Sequence, residues 1–244
     1  MSGKKVSQIL LVLALAASFG GCTTVKGWFK SKPTDKPPDQ MAQEGIKQLK
    51  KKDYDDAIET FEKMRDRYPY SDQAVLAKIK LADAYFYKKK YDEALQSYKE
   101  FEKLHPTNKA VPYAIFRQGL CYYRQRSTID RDQTYCFKAL QEFRRLKQKF
   151  PQCEYIAKAD IYMGHCRRDL AEHEFYVGEF YFKTKKYKAA LDRFQTVAQE
   201  YPEYSKQAEV KEYIDNCQKK IAEADTIPKK GFMYNISHLF DAQW

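Results

Sequence analysis

Small, apolar and aromatic residues return in the same order four times along this chain. Tyr54, Ala57, Phe61 and Pro69 recur as Tyr91, Ala94, Tyr98 and Pro106, and again as Tyr187, Ala190, Phe194 and Pro202. The same offsets hold for Ala139, Phe143 and Pro151, with Cys136 in the tyrosine position. Upstream of each block, Gly45, Ala82, Gly119 and Gly178 are followed three residues later by Gln48, Tyr85, Tyr122 and Tyr181. Spacings of three and four residues put these positions on one face of a helix. Each block therefore predicts two antiparallel helices, whose axes close to ~8–10 Å only where small residues meet. Gly45, Ala82, Gly119 and Gly178 should face Ala57, Ala94, Ala139 and Ala190, while the large aromatics fill the space to the next block. The proline ends the second helix, because it cannot continue the hydrogen-bond ladder. This is the anatomy of the tetratricopeptide repeat (TPR), a helix–turn–helix unit of about 34 residues.

The units run over about 38–71, 75–108, 112–153 and 171–204. The third carries an insert around residues 124–132, between its two helices. Residues 154–170 read as one more helix with Gly164 in the small-residue position, a fourth, irregular unit. Residues 205–222 read as the solvated helix that caps such arrays. The fold expected is all-α: a right-handed α-solenoid of about five TPR units over 40–222 with a C-terminal capping helix.

The ends differ from the array. Lys4 and Lys5 precede an apolar run over 9–19, and Gly20, Gly21 and Cys22 follow it. A positive start, a short apolar stretch and small residues form an export signal over 1–21, too short to span a membrane. A cysteine directly after the small pair resembles the bacterial lipoprotein box, which makes Cys22 the expected lipid attachment site, carrying diacylglycerol and a fatty acyl chain. Thr23 stands where an aspartate would retain an enterobacterial lipoprotein at the inner membrane, so the expected destination is the outer membrane, facing the periplasm. Residues 22–39 contain Pro33, Pro37 and Pro38 and read as a tether. Residues 223–244 include Phe232, Met233, Tyr234, Ile236, Leu239, Phe240 and Trp244, too apolar for a free tail, so the array or a partner should cover them.

Composition narrows the function. Glycine and proline number only 9 each against 20 tyrosines and 15 phenylalanines, which suits helices packed through aromatics. The formal charge is +11, and two of those lysines leave with the signal. Its basic residues are interleaved with acids, as on solvated helix faces, and export argues against nucleic acid as a partner. Beyond Cys22 there are Cys121, Cys136, Cys153, Cys166 and Cys217, with no CxxC pair and no zinc spacing. They read as buried thiols, or as a disulfide of Cys121 with Cys136 or with Cys166. His105, His165, His173 and His238 form no ligand set, and no phosphate loop or nucleophile motif is present. The chain reads as a binding protein, with no enzymatic chemistry, metal or cofactor other than the lipid.

What remains is the concave surface that first helices line in a TPR array. Counted from the small residue, the next and the fourth and fifth positions face it. They are Ile46, Leu49 and Lys50, then Asp83, Phe86 and Tyr87, then Leu120, Tyr123 and Arg124, with Tyr113 and Phe116 one turn earlier. Each aromatic is either groove lining or inter-repeat core. As a groove, the set would suit an extended peptide with an aromatic side chain and a free carboxylate, the latter met by Lys50 and Arg124.

A lipobox, a proline-bearing tether and these repeats together resemble the BamD family of outer-membrane assembly lipoproteins. The most specific stretch is Arg168, Asp169, Leu170 and Ala171 with Glu174, Val177, Gly178 and Tyr181, followed by Tyr187, Ala190, Arg193 and Phe194. The resemblance implies a scaffold in the β-barrel assembly machine. Its C-terminal repeats would hold the POTRA domains of a BamA-like barrel subunit, beside other assembly lipoproteins. Its N-terminal repeats would receive unfolded barrel precursors, whose last strand ends in an aromatic residue. Arg193 would then contact the partner, or pair internally with a residue such as Glu174 or Glu179. The alternative is a TPR lipoprotein of another kind, a pilotin or a secretin- or peptidoglycan-associated factor.

Overall fold

A computed structural model describes residues 36–226. Among them are nine α-helices and no strand: α1 (Pro38–Lys51), α2 (Tyr54–Arg67), α3 (Asp72–Tyr87), α4 (Tyr91–Leu104), α5 (Val111–Arg124), α6 (Thr134–Lys149), α7 (Ile156–Lys183), α8 (Tyr187–Glu200) and α9 (Gln207–Thr226). Helices α1/α2, α3/α4, α5/α6 and α7/α8 form the repeat pairs, and α9 packs on α8 as the cap. Cys22, the signal and most of the tether and apolar tail lie outside the described residues.

The repeated positions build the core. Ala57, Ala94, Ala139 and Ala190 are fully buried, as are Phe61, Tyr98, Phe143 and Phe194 four residues later. The small residues of the first helices face these rings directly. A Cβ added to Gly45 would come within 2.6 Å of Phe61, one at Gly119 within 2.5 Å of Phe143, and one at Gly178 within 2.8 Å of Phe194. Glycine is needed there because the ring occupies the space of its side chain. Gly164 has no such neighbour: a Cβ added there meets nothing within 4 Å.

Three of the turns between paired helices share one backbone solution. Lys52, Lys89 and Lys185 adopt left-handed φ values of 69°, 64° and 61°. The amide after each reaches back five residues: Asp53 N donates to Gln48 O, Lys90 N to Tyr85 O, and Lys186 N to Tyr181 O. These bonds satisfy carbonyls that a helix end leaves open.

The expected irregular unit takes a different form. Residues 156–183 are one continuous helix of 28 residues, about 42 Å long, with no second helix of its own for 154–170. No proline interrupts this stretch, and its two glycines, Gly164 and Gly178, do not break it. Its first half carries Ala159, Cys166 and Leu170 into the core shared by the second and third repeats. Its second half puts Ala171 and Phe175 in a separate core with Ala190, Phe194, Val197, Tyr204, Val210 and Cys217. Helix α7 is thus the spine that joins the two.

The insert between α5 and α6 is an ordered loop docked on that spine. Gln133 Nε2 donates to the carbonyls of Thr128 at 2.8 Å and Arg131 at 2.9 Å. Arg126 Nε donates to Asp169 at 3.1 Å, and His173 Nδ1 lies 2.5 Å from the Ile129 carbonyl oxygen. No helix among the described residues is long and apolar enough to cross a membrane.

Candidate functional site

The polar centre of the array lies between its second and third repeats. Asp83 follows the small residue Ala82 on α3 and is buried. Its Oδ1 accepts from the hydroxyls of Tyr98 and Tyr113, both at 2.6 Å, and its Oδ2 from Lys80 Nζ at 2.9 Å. Arg117 on α5 donates from Nε to the Tyr98 oxygen at 2.9 Å, and its Nη2 lies 3.8 Å from Asp83. The guanidinium carbon sits 3.7 Å from the centre of the Phe86 ring and 5.0 Å from that of Tyr87. A buried charge pair persists when its hydrogen bonds and ring faces replace water. Burial and then the Asp83 charge push the Tyr98 and Tyr113 hydroxyls above their ordinary range. Burial alone would lower the Arg117 guanidinium, but the two tyrosines and Asp83 hold it above its usual value.

This arrangement corrects much of the expected groove. Phe86 is buried, its ring covered by Arg117 and packed edge-on against Tyr91 at 5.4 Å. Phe116 is only 6% exposed, stacked on Tyr155 at 5.3 Å and beside Phe143 at 5.8 Å. Tyr123 is also 6% exposed, packed on Tyr162 at 4.7 Å with its hydroxyl 3.0 Å from His165 Nδ1. For Phe116 and Tyr123 the cause is the start of α7, where Tyr155 at its N-cap and Tyr162 in its second turn close over the third repeat. Phe86, Phe116 and Tyr123 are therefore inter-repeat core and leave the list of groove residues. Ile46 and Leu49 are half-buried against the first-repeat core, and Tyr113 is half-buried with its hydroxyl committed to Asp83.

Three of the expected residues stay open to solvent. Lys50 and Arg124 are exposed at the C-terminal ends of α1 and α5. Tyr87 is 49% exposed and stacks on Tyr54 of the first repeat, with ring centres 6.0 Å apart and planes at 19°. Lys88 pairs with Asp55 beside this stack. What stays accessible of the expected aromatic groove is thus Tyr87, with Tyr54 stacked on it and Phe86 and Arg117 beneath. Tyr54 and Arg117 were missed: Tyr54 reads as a repeat-packing residue, and Arg117 as one more solvated base. The usable signal is an acid just after the small residue of one unit and an arginine two before that of the next.

In the C-terminal unit, Arg193 Nη1 donates to Glu174 at 2.9 Å, so of the two roles open to it the internal pair is made. Alongside, Tyr213 donates to Glu179 at 3.0 Å, and Lys206 and Tyr204 both bond Glu172. These pairs tie α7 to α8, to the turn after it and to α9. The structure shows the five cysteines of the described residues in the reduced form. Cys121 is bridged to neither expected partner, and Cys136 lies against Cys166, its thiol 3.5 Å from the Cys166 carbonyl oxygen. Among the described residues no group of histidine, cysteine and carboxylate side chains could hold a metal.

Fold and site together define a helical-repeat protein whose charged and aromatic side chains tie neighbouring repeats together. The sequence matches the family model described as YfiO, outer membrane lipoprotein, over residues 34–230, and the chain belongs to this family. It is 32% identical over 197 residues to the outer membrane protein assembly factor BamD of Rickettsia prowazekii, covering 81% of this chain and 76% of that protein. It is 26% identical to the BamD of Neisseria meningitidis serogroup B, over 80% of this chain and 78% of that one. Among solved structures, the TPR2AB domain of yeast Sti1 in its pHSP90 complex superposes with a TM-score of 0.44 at 16% identity, covering 75% of this chain and 70% of that one.

Proposed function

We propose that this chain is the lipid-anchored scaffold of an outer-membrane β-barrel assembly machine. The observation that supports this most is the family match, which runs through the whole repeat array and ends only at residue 230. In this reading Cys22 carries the diacylglycerol and acyl chain, and the repeats face the periplasm. The C-terminal unit, stiffened by the pairs of Glu172, Glu174 and Glu179, holds a POTRA-containing BamA-like subunit, and other assembly lipoproteins join it there. Arg193 is only partly covered by Glu174, which leaves donors for a partner carboxylate. The N-terminal repeats receive the C-terminal segment of an unfolded barrel precursor. Its aromatic side chain is met by Tyr54 and Tyr87, and its carboxylate by basic residues such as Lys50.

The peptide arm is tested by titrating the protein with a synthetic peptide ending in phenylalanine. Aromatic anchors often cost ~2 kcal/mol or more when truncated, and ~1.4 kcal/mol is tenfold in affinity. Tyr54→Ala with Tyr87→Ala should therefore weaken binding at least ~tenfold. Helical circular dichroism should hold, because Tyr87 is half in solvent and the pair is not core. Unchanged affinity in this variant would move the peptide off the first two repeats.

A further inference from the structure

We propose that Cys136 and Cys166 form a disulfide that fastens α6 to the spine helix α7. The two residues are 30 apart in sequence, lie on adjacent antiparallel helices and are both fully buried. The Cys136 thiol already points at the Cys166 backbone, 3.5 Å from its carbonyl oxygen. Cys121 lies in the same buried core, where burial pushes its thiol up to about 12.

The two thiols are unlike each other, as exchange chemistry requires. Cys136 is the third residue of α6, where the open amides of a helix N-terminus favour a thiolate. The neighbouring Cys166 thiol lowers Cys136 further, while the same contact and burial raise Cys166. Cys136, in the first turn of α6, is the thiol placed to attack first, and Cys166 the one to resolve. With a disulfide oxidant, Cys136 loses its proton and attacks one sulfur, releasing the first thiol and leaving a mixed disulfide. Cys166 then gives up its proton and attacks Cys136 Sγ, expelling the second thiol. Two cysteines lose two electrons and two protons, and the oxidant is reduced to two thiols.

The position of the link gives it a use. Helix α7 is the spine between the central core and the C-terminal core, and Cys166 sits three residues before Asp169, the partner of Arg126. A covalent tie there fixes the insert and α6 on α7 at the junction between the two parts. In the cell the oxidant would be a disulfide oxidoreductase of the exported compartment, so this step rests on the export reading above; the pairing itself does not.

The test uses the full mature protein, incubated with oxidised glutathione, alkylated, digested and mapped by mass spectrometry. The expected product joins the Cys136 and Cys166 peptides, two hydrogens lighter than the dithiol, with Cys121, Cys153 and Cys217 alkylated. Its melting temperature should exceed that of the reduced form by several degrees, because the closed loop restricts the unfolded chain. Cys136→Ala with Cys166→Ala should melt alike under both conditions. Five alkylated thiols, a link through Cys121, or a lower melting point in the linked form would overturn the proposal. Ready pairing in glutathione but free thiols in protein alkylated on the cell membrane would fault the compartment and leave the pair standing.

Discussion

Asp83→Ala should destabilise the central repeats by about 3–5 kcal/mol, the cost of removing one partner from a buried ion pair. Asp83 is the common acceptor for Tyr98, Tyr113 and Lys80, and its removal leaves Arg117 buried without a counter-charge. Natural domains have only ~5–15 kcal/mol in hand, so the loss should appear as a large fall in melting temperature and in the denaturant midpoint. The account also predicts a rescue. Replacing both charges with apolar residues, Asp83→Leu and Arg117→Met, should recover part of the lost stability, since a buried pair often contributes little net against an apolar substitute. A double variant less stable than Asp83→Ala would show that the network stabilises in its own right and is not merely tolerated.

Phe116→Ala should cost a similar amount, about 3–5 kcal/mol, as removing a buried phenylalanine leaves a cavity its neighbours fill only partly. The ring contacts Phe143 of its own repeat and Tyr155 and Tyr162 at the start of α7. Its loss should loosen α7 from the third repeat and, with it, the C-terminal unit that α7 carries. Hydrogen exchange should therefore speed up at residues 156–170 as well as around the substitution. A variant that keeps full protection there and loses only peptide affinity would return Phe116 to the groove.

The repeat was legible because four units vote for each position. The alanines and their aromatic partners four residues later are all buried, each for the same reason in its own unit. Counting from one unit to the next failed where the units stop being alike. The positions of Phe116 and Tyr123 face an open groove only if a regular repeat follows the third. Here an uninterrupted helix follows, and Tyr155 and Tyr162 lie across that surface. Nothing local marks this, because residues 154–170 are good helix formers whether they end a unit or continue into the next. Arg117 was hidden for a different reason. Its burial depends on Asp83 and Tyr98 of the neighbouring repeat, and α5 read alone shows only a base on a helix. Tyr87 was found and Tyr54 was not, although each supports the other across the repeat boundary.

The central claim is that this chain scaffolds barrel assembly from the outer membrane. It is tested most directly by purifying the tagged, full-length protein from detergent-solubilised membranes and identifying what comes with it by mass spectrometry. The expected result is a POTRA-containing barrel protein in near-equal amount, together with a mature N-terminus at acylated Cys22. Recovery of a secretin or a peptidoglycan-bound complex without any POTRA protein, or of a soluble chain that retains residues 1–21, would contradict it.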